Sequence, residues 1–128
     1  MKQLSFSIAT TVSPYLLVAL GGIGGTKTRF LVDTVVPGAL VATMIVNIVG
    51  SFALGLLLYG DIYTEALTNR SRLLFGTGFI SSFTTFSTFI IDIISVEPLL
   101  AVAYILTSYG LGFLGIFLGH AIAKWLVT

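Results

Sequence analysis

The chain has 128 residues, enough for one domain. Hydrophobic residues make up 56% and charged residues only 9%, with a mean hydropathy of +1.08; a soluble domain of this size cannot bury so much apolar surface, so lipid is its natural solvent. There is no cysteine, His120 stands alone, and six basic against five acidic residues give a net charge of +1, which excludes disulfides and thiolate metal sites and leaves no electrostatic footprint for nucleic acid.

The few charges punctuate the chain. Residues 3–26, 34–60, 73–91 and 98–119 carry none, and each run reaches the roughly 20 residues that a helix needs to cross about 30 Å of hydrocarbon. In lipid every backbone N–H and C=O must be satisfied within its own segment, which predicts helices. The alternating segments of about ten residues that a β-barrel requires are absent. The expected fold is an all-α membrane protein, a single domain over residues 1–128 with four transmembrane helices. Residues 1–12 read as a polar-leaning leader with one lysine and no small-residue cleavage site, which argues against a signal peptide.

The first span is predicted over residues 13–32, with Pro14 in its first turn, where the missing N–H has no partner to lose. Gly21, Gly22, Gly24 and Gly25 cluster in it. Gly21 and Gly25 form a small-xxx-small pair that lets helices approach closely, and this favours tight packing and an oligomer. Arg29 lies at the end of this span. Two uses fit it: snorkelling to the interface, or binding an anion in a vestibule.

The second span is predicted over residues 37–59, opened by Pro37. Thr43, Asn47 and Ser51 lie one turn apart on one face. An amide in hydrocarbon must find partners, and Asn47 serves equally as glue between helices or as a donor to an anion.

The third span is predicted over residues 72–95. Ser81-Ser82-Phe83-Thr84-Thr85-Phe86-Ser87-Thr88-Phe89 places six hydroxyls and three phenylalanines within nine residues at its centre. Hydroxyls can replace lost backbone hydrogen bonds, so an interruption of the helix near its middle is expected here. Interrupted helices expose carbonyls and N–H groups that bind ions. The alternative is an unbroken helix with each hydroxyl bonded back to the i−4 carbonyl.

The fourth span is predicted over residues 98–127. Tyr104 and Ser108 share a face that continues to Gly112. They fit a pore-lining stripe, or an interfacial tyrosine with ordinary packing. Gly115 and Gly119 form a second small-xxx-small pair. Asp92 and Glu97 flank the preceding turn and are read as interfacial, as is His120. With an even number of spans, Lys2, Arg70, Arg72 and Lys124 share a side with both termini, against Lys27 and Arg29 opposite; the positive-inside rule then places the termini in the cytoplasm by a margin of two charges.

The polar groups expected at membrane depth are uncharged donors: Asn47, Thr84, Thr85, Ser87, Thr88, Tyr104 and Ser108. No acid or base is expected there, which argues against proton-coupled transport and intramembrane proteolysis. Neutral donors beside aromatic rings suit a small hydrated anion. The edge of a phenyl ring is positive, and Phe86 and Phe89, spaced i, i+3, can meet an anion edge-on.

Three stretches together resemble the Fluc (CrcB) fluoride channels: Gly21-Gly22-Ile23-Gly24-Gly25-Thr26-Lys27-Thr28-Arg29-Phe30, Asn47-Ile48-Val49-Gly50-Ser51-Phe52, and Phe83-Thr84-Thr85-Phe86-Ser87-Thr88-Phe89. They occur in that family's order, and the resemblance covers essentially the whole chain. It implies an antiparallel dual-topology dimer, either a homodimer or a heterodimer with a related subunit, enclosing two narrow fluoride pores. Phe86 and Phe89 then match the pore phenylalanines, Asn47 the pore asparagine, Tyr104 and Ser108 a polar track, with Thr85 and Ser87 beside it, and Arg29 the vestibule arginine. The resemblance also implies a structural sodium ion at the dimer centre, held by backbone carbonyls that fall here at Ser81 and Thr84. In place of the family's usual glycine pair this chain has Ser81-Ser82, and serine reaches unusual backbone angles less easily.

The expected function is passive export of fluoride through the cell membrane, driven by a membrane potential worth about 2.3 kcal/mol per charge per 100 mV. A small multidrug-type exporter is the alternative of similar size, but that class relies on an acid in its first helix, and residues 1–32 contain none. A non-transporting membrane scaffold is the other reading, and the hydroxyl cluster of the third span weighs against it. Phe86→Ile or Asn47→Ala is expected to abolish or sharply reduce flux and leave the dimer assembled.

Overall fold

A computed structural model describes the backbone of residues 2–63 and 67–127, and the side chains of residues 13–60 and 67–126. The side chains of the proposed leader, including Lys2, lie outside the described residues, as does that of Val127. The described chain is all helix and loop. In order it forms α1 (Lys2–Val35), α2 (Ala39–Tyr63), α3 (Asn69–Ser71), a π-helical stretch (Arg72–Ile80), α4 (Ser81–Phe83), α5 (Phe86–Ile94) and α6 (Pro98–Val127).

Among the described residues, three helical runs are long and apolar enough to cross a membrane: Ala39–Gly60, Asn69–Ile94 and Pro98–Leu126. The described part of α1 is more polar, because its four clustered glycines are followed by Thr26, Lys27, Thr28 and Arg29. Pro14 lies inside α1 rather than in its first turn. It removes one backbone donor there, while the residues before it continue the helix.

The link between α1 and α2 is short. Val36 N–H still bonds to Val32 O at 2.9 Å, and Ala42 N–H bonds to Gly38 O at 3.1 Å to start α2. Gly38 has φ +97°, a left-handed conformation that glycine adopts at little cost. Pro37 therefore sits in the turn and α2 begins two residues later. Thr68 caps the next run, its hydroxyl accepting from Ser71 N–H at 3.2 Å.

Two helix pairs build the molecule. α2 packs along α6, and α1 packs along the π-helical stretch and α4. Both small-xxx-small pairs are consumed in these contacts. A Cβ on Gly21 or Gly25 would fall on the carbonyls of Leu74 and Phe79, and one on Gly119 would fall on the carbonyl of Phe52. This corrects the inference of an oligomer from these glycines: their close approaches lie within one chain. The wide i→i+5 winding of residues 72–80 is rare. It brings Gly78 so close to Gly21 that a Cβ on Gly78 would lie 2.9 Å from Gly21 Cα.

The core is narrow. Val46 is fully buried, and Thr43, Ala42, Ile80, Phe83, Phe89, Ala101 and Tyr104 are buried as well. Large apolar side chains such as Phe113, Phe117, Leu106 and Ile94 face outward. In water that surface would drive aggregation; in lipid it needs no cover.

Candidate functional site: a donor-lined cleft at a helix break

Two extended residues separate α4 from α5. Thr84 has φ −76°, ψ 159° and Thr85 has φ −147°, ψ 120°. Local hydroxyls serve part of the break. Thr84 N–H and Thr84 Oγ1 both donate to Ile80 O at 3.0 Å. Thr85 is the N-cap of α5: its Oγ1 accepts from Thr88 N–H at 3.2 Å and donates to Thr88 Oγ1 at 2.9 Å.

Other helices supply further partners. Asn47 on α2 grips Thr85 with both ends of its amide. Its Nδ2 donates to Thr85 O at 3.0 Å, and its Oδ1 accepts from Thr85 N–H at 2.8 Å. Arg29 on α1 donates to Thr84 O at 3.4 Å. The guanidinium is thus turned inward to a backbone carbonyl of the break. Both interactions satisfy backbone groups that would otherwise stand unpaired in a medium without water.

A cleft of about 270 Å³ opens beside the break, lined by Asn47, Ser51, Phe86, Phe89, Ser108 and Gly112 among others. A second of about 270 Å³ is lined by Asn47, Ser51, Thr84, Thr85 and Phe86 among others. Phe86 belongs to both and is 67% exposed on the single chain. Its ring centroid lies 6.2 Å from that of Phe89, which in turn lies 5.2 Å from that of Tyr104 and meets Tyr109 edge-on at 5.9 Å. Ser108 Oγ is buried with no hydrogen-bond partner, alone in this among the described residues. An orphaned donor facing a cleft is a place for a ligand acceptor.

The structure therefore brings Asn47, Phe86, Phe89 and Ser108 around one cleft and adds Thr85 in the adjoining one. Ser87 is exposed, with its Oγ 3.5 Å from Thr85 Oγ1. Tyr104 does not line either cleft. It is packed behind Phe89, 4% exposed, and its hydroxyl donates to Asp92 Oδ2 at 3.1 Å. Thr43 hydrogen-bonds the same phenol. Ser81 is exposed and donates through Oγ to Gly76 O at 3.3 Å.

Asp92, read from the sequence as interfacial, lies two residues before the end of α5 with its side chain 5% exposed. The signal was present in the sequence. Asp92 follows Phe89 by one turn, so the two share the buried face of α5, and a buried tyrosine on the next helix needs an acceptor. No group of three His, Cys, Asp or Glu side chains capable of holding a metal occurs among the described residues.

The fold and this site define a class: a small multi-pass helical membrane protein whose cleft beside the helix break is lined by hydroxyls, an amide and aromatic rings. The chain matches the family described as CrcB-like protein, Camphor Resistance (CrcB), over residues 16–120, and it belongs to that family. It is 44% identical over 114 residues to "Fluoride-specific ion channel FluC 1" of Haloarcula marismortui, covering 89% of this chain and 88% of the relative. It is 37% identical over 110 residues to a protein of the same title from Natronomonas pharaonis, covering 85% and 92%. It is 41% identical over 109 residues to "Fluoride-specific ion channel FluC 2" of Methanosarcina mazei, covering 85% and 86%.

Proposed function

We propose that the protein is a fluoride-selective channel that lets fluoride leave the cytoplasm passively across the cell membrane. The observation that carries this reading is the cleft beside the break, where a buried, unpartnered Ser108 hydroxyl faces Asn47 and two phenylalanines. Fluoride is small and holds its water tightly. Dehydrating it costs many kcal/mol, so a pore must offer substitute donors. Ser108 donates through its hydroxyl. Asn47 uses one amide hydrogen on Thr85 O and keeps a second for the ion. Phe86 and Phe89 contribute positive ring edges. Relatives named as fluoride-specific ion channels support the same ion.

In this reading α1 is the fourth span and the break lies at membrane depth. Two copies of the chain, or this chain and a related subunit, assemble antiparallel with dual topology, and the clefts open on one chain are closed by the other. The outward apolar faces then meet lipid or the partner.

Sodium fits the break as a structural ion. Thr85 N–H, the usual helical partner of Ser81 O, is committed to Asn47 Oδ1, which leaves that carbonyl open. Thr84 O has only the long bond from Arg29. Neutral carbonyl oxygens suit a hard cation, and Ser81 and Thr84 are the residues that would hold it. Bound there, it supplies positive charge at the dimer centre; Asn47 and Arg29 shape the site by fixing the backbone around it.

Reconstitution tests the function. Vesicles bearing the purified chain, with a related subunit added in a second preparation, should release fluoride under a potassium-driven potential and retain chloride. Vesicles sealed to fluoride in both preparations would refute the channel. Proton-linked drug flux would point to an exporter instead.

A further inference from the structure

Some hydroxyls in these helices turn back on their own backbone. Thr28 Oγ1 bonds to Gly24 O at 2.8 Å, Thr84 Oγ1 to Ile80 O at 3.0 Å and Ser95 Oγ to Ile91 O at 2.6 Å, each to the i−4 carbonyl. Two hydroxyls without such a bond line one cleft together. Ser108 Oγ on α6 is buried without a partner. Ser51 on α2, one turn beyond Asn47, makes no hydrogen bond to any described residue.

The space between them has a particular shape. The face of α6 that carries Ser108 presents Gly112 one turn on. A Cβ built on Gly112 would meet only Ser51 Oγ, at 3.7 Å, an ordinary contact distance. Ser51 thus stands beside a level of this face where α6 offers no side chain. It also lines both clefts, as Asn47 and Phe86 do. An ion passing Phe86 from one cleft to the other therefore stays beside Ser51.

We infer that Ser51 is an anion-contacting hydroxyl of the pathway, supplying from α2 the donor that α6 lacks at Gly112. The inference rests on the channel reading and adds a residue to it. Ser108 and Ser51 then donate in succession to one fluoride, from opposite walls.

The test uses full-length protein in vesicles, with fluoride release read by electrode. Ser51→Ala should lower flux by about tenfold, the factor that one hydrogen bond to a charged group is worth. Gly112→Ser places a hydroxyl on the opposite wall of the same space, and the double variant Ser51→Ala/Gly112→Ser should recover most of that loss. Ser51→Cys, similar in shape with a weaker donor, should fall between serine and alanine, and it decides the matter if the alanine variant does not assemble. Wild-type flux in Ser51→Ala overturns the proposed contact, as does wild-type flux in Ser51→Cys if that variant alone assembles. A double variant as slow as Ser51→Ala overturns the placement opposite Gly112. Silent wild-type vesicles overturn the channel reading beneath it.

Discussion

Replacing Asn47 with alanine should unfasten the break from α2. The side chain makes two bonds to one residue, at 3.0 Å to Thr85 O and 2.8 Å from Thr85 N–H. Thr85 is 9% exposed, so water does not readily replace the amide. A buried backbone group left without a partner costs about 1–3 kcal/mol, and the pair about 2–6 kcal/mol. Since 1.4 kcal/mol is tenfold in an equilibrium constant, opening at Thr85 should become at least about tenfold more frequent. Hydrogen exchange in detergent micelles reads this directly, through the protection of the Thr85 amide. Asn47→Asp separates the two bonds. Its carboxylate still accepts from Thr85 N–H, but it sets an oxygen against Thr85 O, so amide protection should persist while thermal stability falls. Fluoride flux should be lost in both variants. An alanine variant with a Thr85 amide as protected as in the wild type would refute the claim that Asn47 holds the break.

Other outcomes follow from single contacts. Gly119→Ala should destabilise the protein by about 1–3 kcal/mol, because its Cβ would fall on Phe52 O, whereas Gly110→Ala, with nothing within 4 Å, should be neutral or stabilising; thermal melts in one detergent compare the two. Tyr104→Phe strips the buried Asp92 of its hydroxyl donor and should cost about 1.5–3 kcal/mol, the range for bonds to charged groups; Asp92→Asn in the same background should recover part of it in the same melts. Thr85→Val removes the N-cap of α5 and should cost about 1 kcal/mol, with Thr85→Ser close to wild type by melting temperature. Phe86→Ile removes an exposed ring rather than a core one, so it should abolish fluoride release from vesicles and leave the melting temperature within a few degrees.

Much of the fold was written locally. Long uncharged runs must be helical in lipid, because nothing else satisfies their backbone, and the chain is helical throughout its described regular structure. Caps are local too: Thr68 and Thr85 each accept from an N–H three residues on. The segment rich in hydroxyls and phenylalanine identified itself by composition, since so many polar groups in an apolar run need a use. The burial of Asp92 was not anticipated for a physical reason: a lone acid near a turn is ordinarily solvated, and its enclosure depends on Tyr104 of the next helix.

What the sequence determined by itself was the solvent, the secondary structure and the place where polar groups concentrate, all of which depend on residues a few positions apart. Partnership was decided by the tertiary structure. Asn47 finds Thr85 across 38 residues and Arg29 finds Thr84 across 55, and those pairings exist only because of how α1 and α2 lie beside the break. The same holds for the glycine pairs, whose spacing announces a close approach without saying to what. Helix crossings sum many weak contacts along whole faces, so no short motif encodes them, and it is they that leave the hydroxyls of Ser51 and Ser108 unspent in one cleft.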